Sequence, residues 1–124
     1  MDLNHLSLTK RSLIYNMNWM LLIIAGLFEV AFAACLGKAK ETNGTEMWFW
    51  YAGFLTTLSI SMFLLMKAIQ NIPIGTAYAI WTGVGAVGTV LVGILIFNEP
   101  TNFWRIFFIV TLISSIIGLK LVSN

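Results

Sequence analysis

A single acidic residue, Glu29, interrupts the apolar run WMLLIIAGLFEVAFAACL between Trp19 and Leu36. As an α-helix this run rises about 27 Å, enough to cross the hydrocarbon of a bilayer, and Glu29 falls near the middle. A carboxylate at that depth costs at least about 2.5 kcal/mol on insertion scales, so it asks for a functional reason. No other apolar stretch contains a central Lys, Arg or His to neutralise it. An acid without a fixed countercharge settles in hydrocarbon by carrying a proton or by holding a mobile cation. Competition between the two for one carboxylate is sufficient for antiport, because the ionised form holds the cation and the protonated form releases it.

On a helix the neighbours of Glu29 one turn away are Ala25, Gly26, Phe32 and Ala33. The three small residues leave room beside the carboxylate, and Phe32 offers an aromatic surface. In a later stretch, Ile74 to Gly88, Tyr78 and Trp81 share a helical face and lie deeper than a surface belt requires. They are either packing residues or the wall of a cation pocket, since aromatic faces attract cations and a Tyr hydroxyl in hydrocarbon needs a partner. Gly83, Gly85 and Gly88 follow, suited to close helix packing and to a bend. Thr57 and Ser61 are one turn apart on the second stretch and can donate to the carboxylate or back to their own helix. Ser114 and Gly118 have small-xxx-small spacing on a stretch without ligand candidates, which marks a dimerisation element.

Composition narrows the classes further. Of 124 residues, 59% are hydrophobic and 10% charged, against roughly 25% charged in a soluble domain, so this is an integral membrane protein. A net charge of +2, with Lys and Arg at ends and loops, provides no basic patch for nucleic acid. The lone Cys35 and lone His5 supply neither a disulfide nor a metal site, and no cofactor is implied. Nucleophile, base and metal do not assemble into an enzyme site. A proteolipid subunit of a rotary assembly would use a mid-membrane acid, but a proton-only site needs neither Tyr78 nor Trp81.

The elements that must position these residues are four transmembrane helices at about 18–37, 47–66, 74–97 and 103–119, one all-α membrane domain over residues 17–124. Residues 1–16 read as a polar tail outside it, and Met17 is an alternative start. Lys10, Arg11, the apolar run and Ala33-Ala34-Cys35 loosely imitate a lipoprotein signal, but Glu29 and Phe32 count against cleavage. Cys35 reads instead as a small packing residue. Asn43-Gly44 and Gln70-Asn71-Ile72-Pro73 are turns, Trp48, Trp50 and Tyr51 form an aromatic belt, and Arg105 can snorkel. One membrane face carries Lys10, Arg11, Lys67 and Lys120, the other Lys38, Lys40 and Arg105. A bias so weak permits insertion both ways and pairing with an inverted copy, the symmetry on which alternating access is commonly built.

From Met17 to Asn124 the chain resembles the small multidrug resistance family of four-helix transporters. The carriers are Ala25-Gly-Leu-Phe-Glu-Val30, Pro73-Ile-Gly-Thr-Ala-Tyr-Ala-Ile-Trp-Thr-Gly-Val-Gly85 and Ile117-Gly-Leu-Lys120. The resemblance implies an antiparallel, dual-topology dimer in which the glutamate of each subunit binds protons or a cationic substrate. It assigns Glu29 to coupling, Tyr78 and Trp81 to the substrate pocket, and Ser61 to a hydrogen bond near the glutamate; Gly26 and Phe32 line the same pocket by their place beside Glu29. Pro73-Ile-Gly-Thr76, the Phe-x-Glu-Pro of 97–100 and the terminal Gly-Leu-Lys are similar to the guanidinium-exporter branch.

Two departures stand out within that branch: Phe32 where tryptophan is common, and Leu36-Gly37 before Lys38 where Leu-Lys is common. Phe32 lacks the indole N–H, which loosens the hold on glutamate or substrate and favours a broader range. The implied activity is proton-coupled export of a small organic cation, guanidinium or a guanidinyl compound, across a bacterial inner membrane by a homodimer. The alternatives are a wider quaternary-ammonium efflux pump and one subunit of an unlike pair.

Overall fold

The computed structural model describes residues 3–122, which fold as four helices: α1 (Leu3–Glu41), α2 (Gly44–Ala68), α3 (Ile74–Leu95) and α4 (Phe103–Val122). Each is long and apolar enough to cross a membrane. Helices α1 and α3 run one way, α2 and α4 the other, joined by tight turns. At the first turn Asn43 is extended and Gly44 opens α2 at φ +66°, a left-handed value that glycine adopts without a Cβ penalty. At the second, the Ile72 N–H returns to the Ala68 carbonyl and Pro73 precedes α3, where its missing N–H costs nothing.

Residues 3–16, expected as a tail, continue α1 as an exposed helix. The reason is local. No Gly or Pro interrupts the chain before Gly26, and extending a helix that the membrane has already nucleated adds one hydrogen bond per residue fixed. Met1 and Asp2 lie outside the described residues, as do Ser123 and Asn124. The third helix stops at Leu95, two residues before the expected Phe97. Gly93 accepts the N–H groups of both Phe97 and Glu99 through its carbonyl, Asn98 turns left-handed at φ 54°, and the Phe97 ring folds back onto Gly37 of α1. Arg105 pairs with Glu99 across this turn, and the Asn102 side chain caps α4 by accepting the Arg105 N–H at 2.8 Å.

Helix α1 is the hub, packed along α2 and α3, while α4 lies along α3. The core sits towards the end that holds the α2–α3 turn and is built from Trp19, Leu22 and Ala25 of α1, Leu65 and Ala68 of α2, Ile72, and Ala77, Ile80 and Trp81 of α3. Small residues set the crossings. A Cβ on Gly26 would stand 2.7 Å from the Val84 side chain, one on Gly83 would meet Ile116 of α4 at 2.6 Å, and one on Gly88 would overlap Val30. Cys35 lies over Gly53 of α2, a packing position. By contrast α4 buries no residue completely, and Ser114 and Gly118 face open space, with the Ser114 hydroxyl donating to its own helix at Val110. We expect Gly83→Leu to cost about 1–3 kcal/mol by overpacking, read as a lower thermal midpoint in detergent. Gly75→Leu, where no atom lies within 4 Å, should leave the midpoint nearly unchanged.

Candidate functional site

Glu29 stands midway along α1 and points its carboxylate at α3, where it rests on the bare backbone of Gly85; a Cβ at that position would overlap the carboxylate. Parallel packing of α1 on α3 brings this about: Gly26 beneath Val84 and Val30 on Gly88 flank the contact one turn either side. The Oε2 atom of Glu29 is buried and has no hydrogen-bond partner. Both salt bridges among the described residues, Lys38–Glu41 and Arg105–Glu99, lie at the opposite-end turns. A buried carboxylate oxygen without donor or countercharge keeps an unmet demand for a proton or a cation.

Trp81 is fixed from two sides. Its indole Nε1–H donates to Ser61 Oγ of α2 at 3.0 Å, and the Ser61 hydroxyl donates in turn to the Ala25 carbonyl of α1 at 2.7 Å. This chain ties three helices together at a buried point, with Ser61 fully inaccessible and Trp81 only 7% exposed. Ala25 is one turn before Glu29, and its carbonyl is the acceptor that helical geometry assigns to the Glu29 N–H. Ser61 therefore reaches the backbone that carries Glu29, while the carboxylate itself lies against α3. Tyr78, one turn before Trp81, packs its ring against the indole with centroids 5.5 Å apart and is 56% exposed. Trp81 thus serves as the anchored half of the aromatic pair and Tyr78 as the open half.

Phe32 packs against Phe54 of α2 in a T-shaped contact, centroids 5.7 Å apart, and is half-buried there. Gly26 is covered by Val84, Gly83 by Ile116, Gly85 by the carboxylate and Gly88 by Val30. The structure thus brings Glu29 to Gly85, Tyr78 to Trp81 and Trp81 to Ser61, and leaves Ser114 and Gly118 on the outer helix. Thr57 bonds to its own helix at Gly53, 2.8 Å away. Sequence reasoning passed over Thr82, whose buried Oγ1 has no partner. It precedes Gly85 by three residues and so shares its helical face; the signal available in the sequence was a hydroxyl one turn from a glycine on a charge-free span. Among the described residues no three His, Cys, Asp or Glu side chains converge to hold a metal.

The family model described as Small Multidrug Resistance protein matches residues 17–112, which contain Glu29, Ser61, Tyr78, Trp81, Thr82 and Gly85. The chain belongs to the small multidrug resistance family. As a member of it, this is a multi-pass membrane protein and not an enzyme. Similar curated proteins include a "Guanidinium exporter" of Proteus vulgaris, 41% identical over 107 residues that make up 86% of this chain and 100% of that protein. A "Guanidinium exporter" of Escherichia coli is 42% identical over 108 residues, 87% of this chain and 100% of the relative. A "Probable guanidinium efflux system subunit GdnD" of Bacillus licheniformis is 40% identical over 107 residues, again 86% of this chain and 100% of the relative.

The Trp81–Ser61–Ala25 chain yields a stability prediction for this family member. Ser61→Ala leaves the indole N–H buried without an acceptor and should cost about 1–3 kcal/mol, read in denaturant or thermal unfolding. Adding Trp81→Phe removes the stranded donor, so the double variant should lose less than the two single losses combined.

Proposed function

We propose that the protein is a proton-coupled antiporter that exports a small organic cation, guanidinium or a guanidinyl compound, across the bacterial inner membrane. The observation that carries this reading is the buried, unpartnered Glu29 oxygen on Gly85. A carboxylate so placed is costly when ionised and empty, and far less so when it carries either a proton or a cation. The empty, charged state is disfavoured during reorientation, which suppresses uncoupled leak and makes each crossing an exchange of one occupant for the other.

Guanidinium suits such a site because its planar fork donates two parallel N–H bonds to one carboxylate. The exposed Tyr78 ring beside Trp81 offers a flat surface for the same cation. Relatives named as guanidinium exporters support that choice of substrate. Sites at the glutamate of two subunits would be joined in an antiparallel dimer. Its support is the incompletely buried α4, with Ser114 and Gly118 open on it. The similarity to a protein named as an efflux system subunit keeps a pair of unlike chains as the second assembly. Phe32, without an N–H and engaged with Phe54, favours a broader reading that admits quaternary ammonium ions.

Proteoliposomes with an imposed pH gradient test the reading. Guanidinium uptake should follow the gradient and exceed tetramethylammonium uptake, and it should disappear in Glu29→Gln. Protons compete with the cation for Glu29, so apparent affinity should weaken as pH falls. Transport that persists in Glu29→Gln would overturn the assignment, and preference for tetramethylammonium would move it to the broader pump.

A further inference from the structure

The two ends of the bundle differ in charge. The end that carries the α2–α3 turn holds Lys10, Arg11, Lys67 and Lys120 and, among the described residues, no carboxylate, whereas the other end sets Lys38, Lys40 and Arg105 against Glu41, Glu46 and Glu99. Counting only Lys and Arg hides this asymmetry. At the positive end a cavity of about 280 Å³ is lined by Arg11, Ile14, Tyr15, Asn18 and Asn71. Asn18 is only 5% exposed, yet its Nδ2 donor has no hydrogen-bond partner. Buried amides normally find acceptors, so a cavity wall with a stranded donor beside a guanidinium is suited to an anionic oxygen ligand.

Depth fixes which anion. Asn18 is the last polar residue before the apolar run of α1, which puts the cavity at headgroup level. Trp19, the next residue, lines a second and mostly apolar cavity of about 400 Å³ with Ile23, Ile80 and Ile117, and Lys120 lies at its rim with Nζ 5.5 Å from the Trp19 ring centroid. Polar donors at headgroup level, one residue along α1 from the wall of an apolar groove, match one molecule better than a free ion. We propose that Arg11, Asn18 and Asn71 bind the phosphate of an anionic phospholipid, with an acyl chain along the groove beside Trp19. Phosphate oxygens accept from the Arg11 fork and from the Asn18 amide, and the surplus of Lys and Arg on this face favours a lipid of net negative charge. Arg11, Ile14 and Tyr15 lie before the family-matched segment, and the proposal stands apart from the transport reading.

The test is thermal unfolding of the full chain in detergent micelles, titrated with phosphatidylglycerol, phosphatidylcholine or inorganic phosphate. Phosphatidylglycerol should raise the midpoint saturably, phosphatidylcholine less, and inorganic phosphate at matched concentration not at all. Arg11→Ala, at an exposed position that folding does not need, and Asn18→Leu should each require about tenfold more phosphatidylglycerol for the same shift. Lys10→Ala, outside the cavity, should not. Equal responses to both lipids, or equal losses in Lys10→Ala and Arg11→Ala, would overturn the site in favour of diffuse charge. An equal shift with inorganic phosphate would overturn the lipid in favour of a free anion.

Discussion

A carboxylate pressed against bare backbone in the middle of a membrane bundle has to obtain its neutralising charge from outside the fold. That constraint, Glu29 on Gly85 with Oε2 unpartnered, organises the rest of the structure. Any side chain at position 85 would displace the acid, so α1 and α3 must cross where α3 offers glycine. Gly26 under Val84 and Gly88 under Val30 hold that crossing on either side. Gly83, Gly85 and Gly88 of the third helix are therefore seats for side chains from α1 and α4, within a helix that runs unbroken from Ile74 to Leu95.

Rigidity and openness are divided between neighbouring residues. The Trp81–Ser61–Ala25 chain welds α3, α2 and α1 at a fully buried point next to the turn that carries Glu29. Networks of this kind hold a single geometry because a half-made one is costly. Tyr78, leaning on the anchored indole, remains accessible. A fixed indole thus carries an adjustable phenol on α3, and the acid lies against the same helix at Gly85. On the far side α4 stays largely uncovered, so the outer surface of the bundle is left for lipid or a second chain.

Much of this was legible in the sequence, for identifiable physical reasons. Apolar lengths near those of a bilayer and the Asn43-Gly44 and Pro73 turns gave four spans, and the cost of burying an acid singled out Glu29. The family motifs added Tyr78, Trp81 and Ser61 as a group. What spacing could not give were contacts between helices. It did not say that Gly85, one of three glycines, faces the carboxylate, that Phe32 packs on Phe54, or that Ser61 bonds to a backbone carbonyl. The helical extension over residues 3–16 was missed because its polarity suggested disorder, while continuity with a nucleated helix carries it. The stranded Asn18 amide is a property of burial, and Thr82 showed in the sequence only as a hydroxyl one turn from a glycine.

The central claim is that one carboxylate, Glu29, exchanges a proton for a cation. Calorimetric titration of the solubilised protein with guanidinium, in buffers of different ionisation enthalpy and across a range of pH, reads that exchange directly. Proton release on binding is predicted, larger at low pH than at high pH and absent with Glu29→Gln. Binding heats that are the same in every buffer at every pH would contradict it.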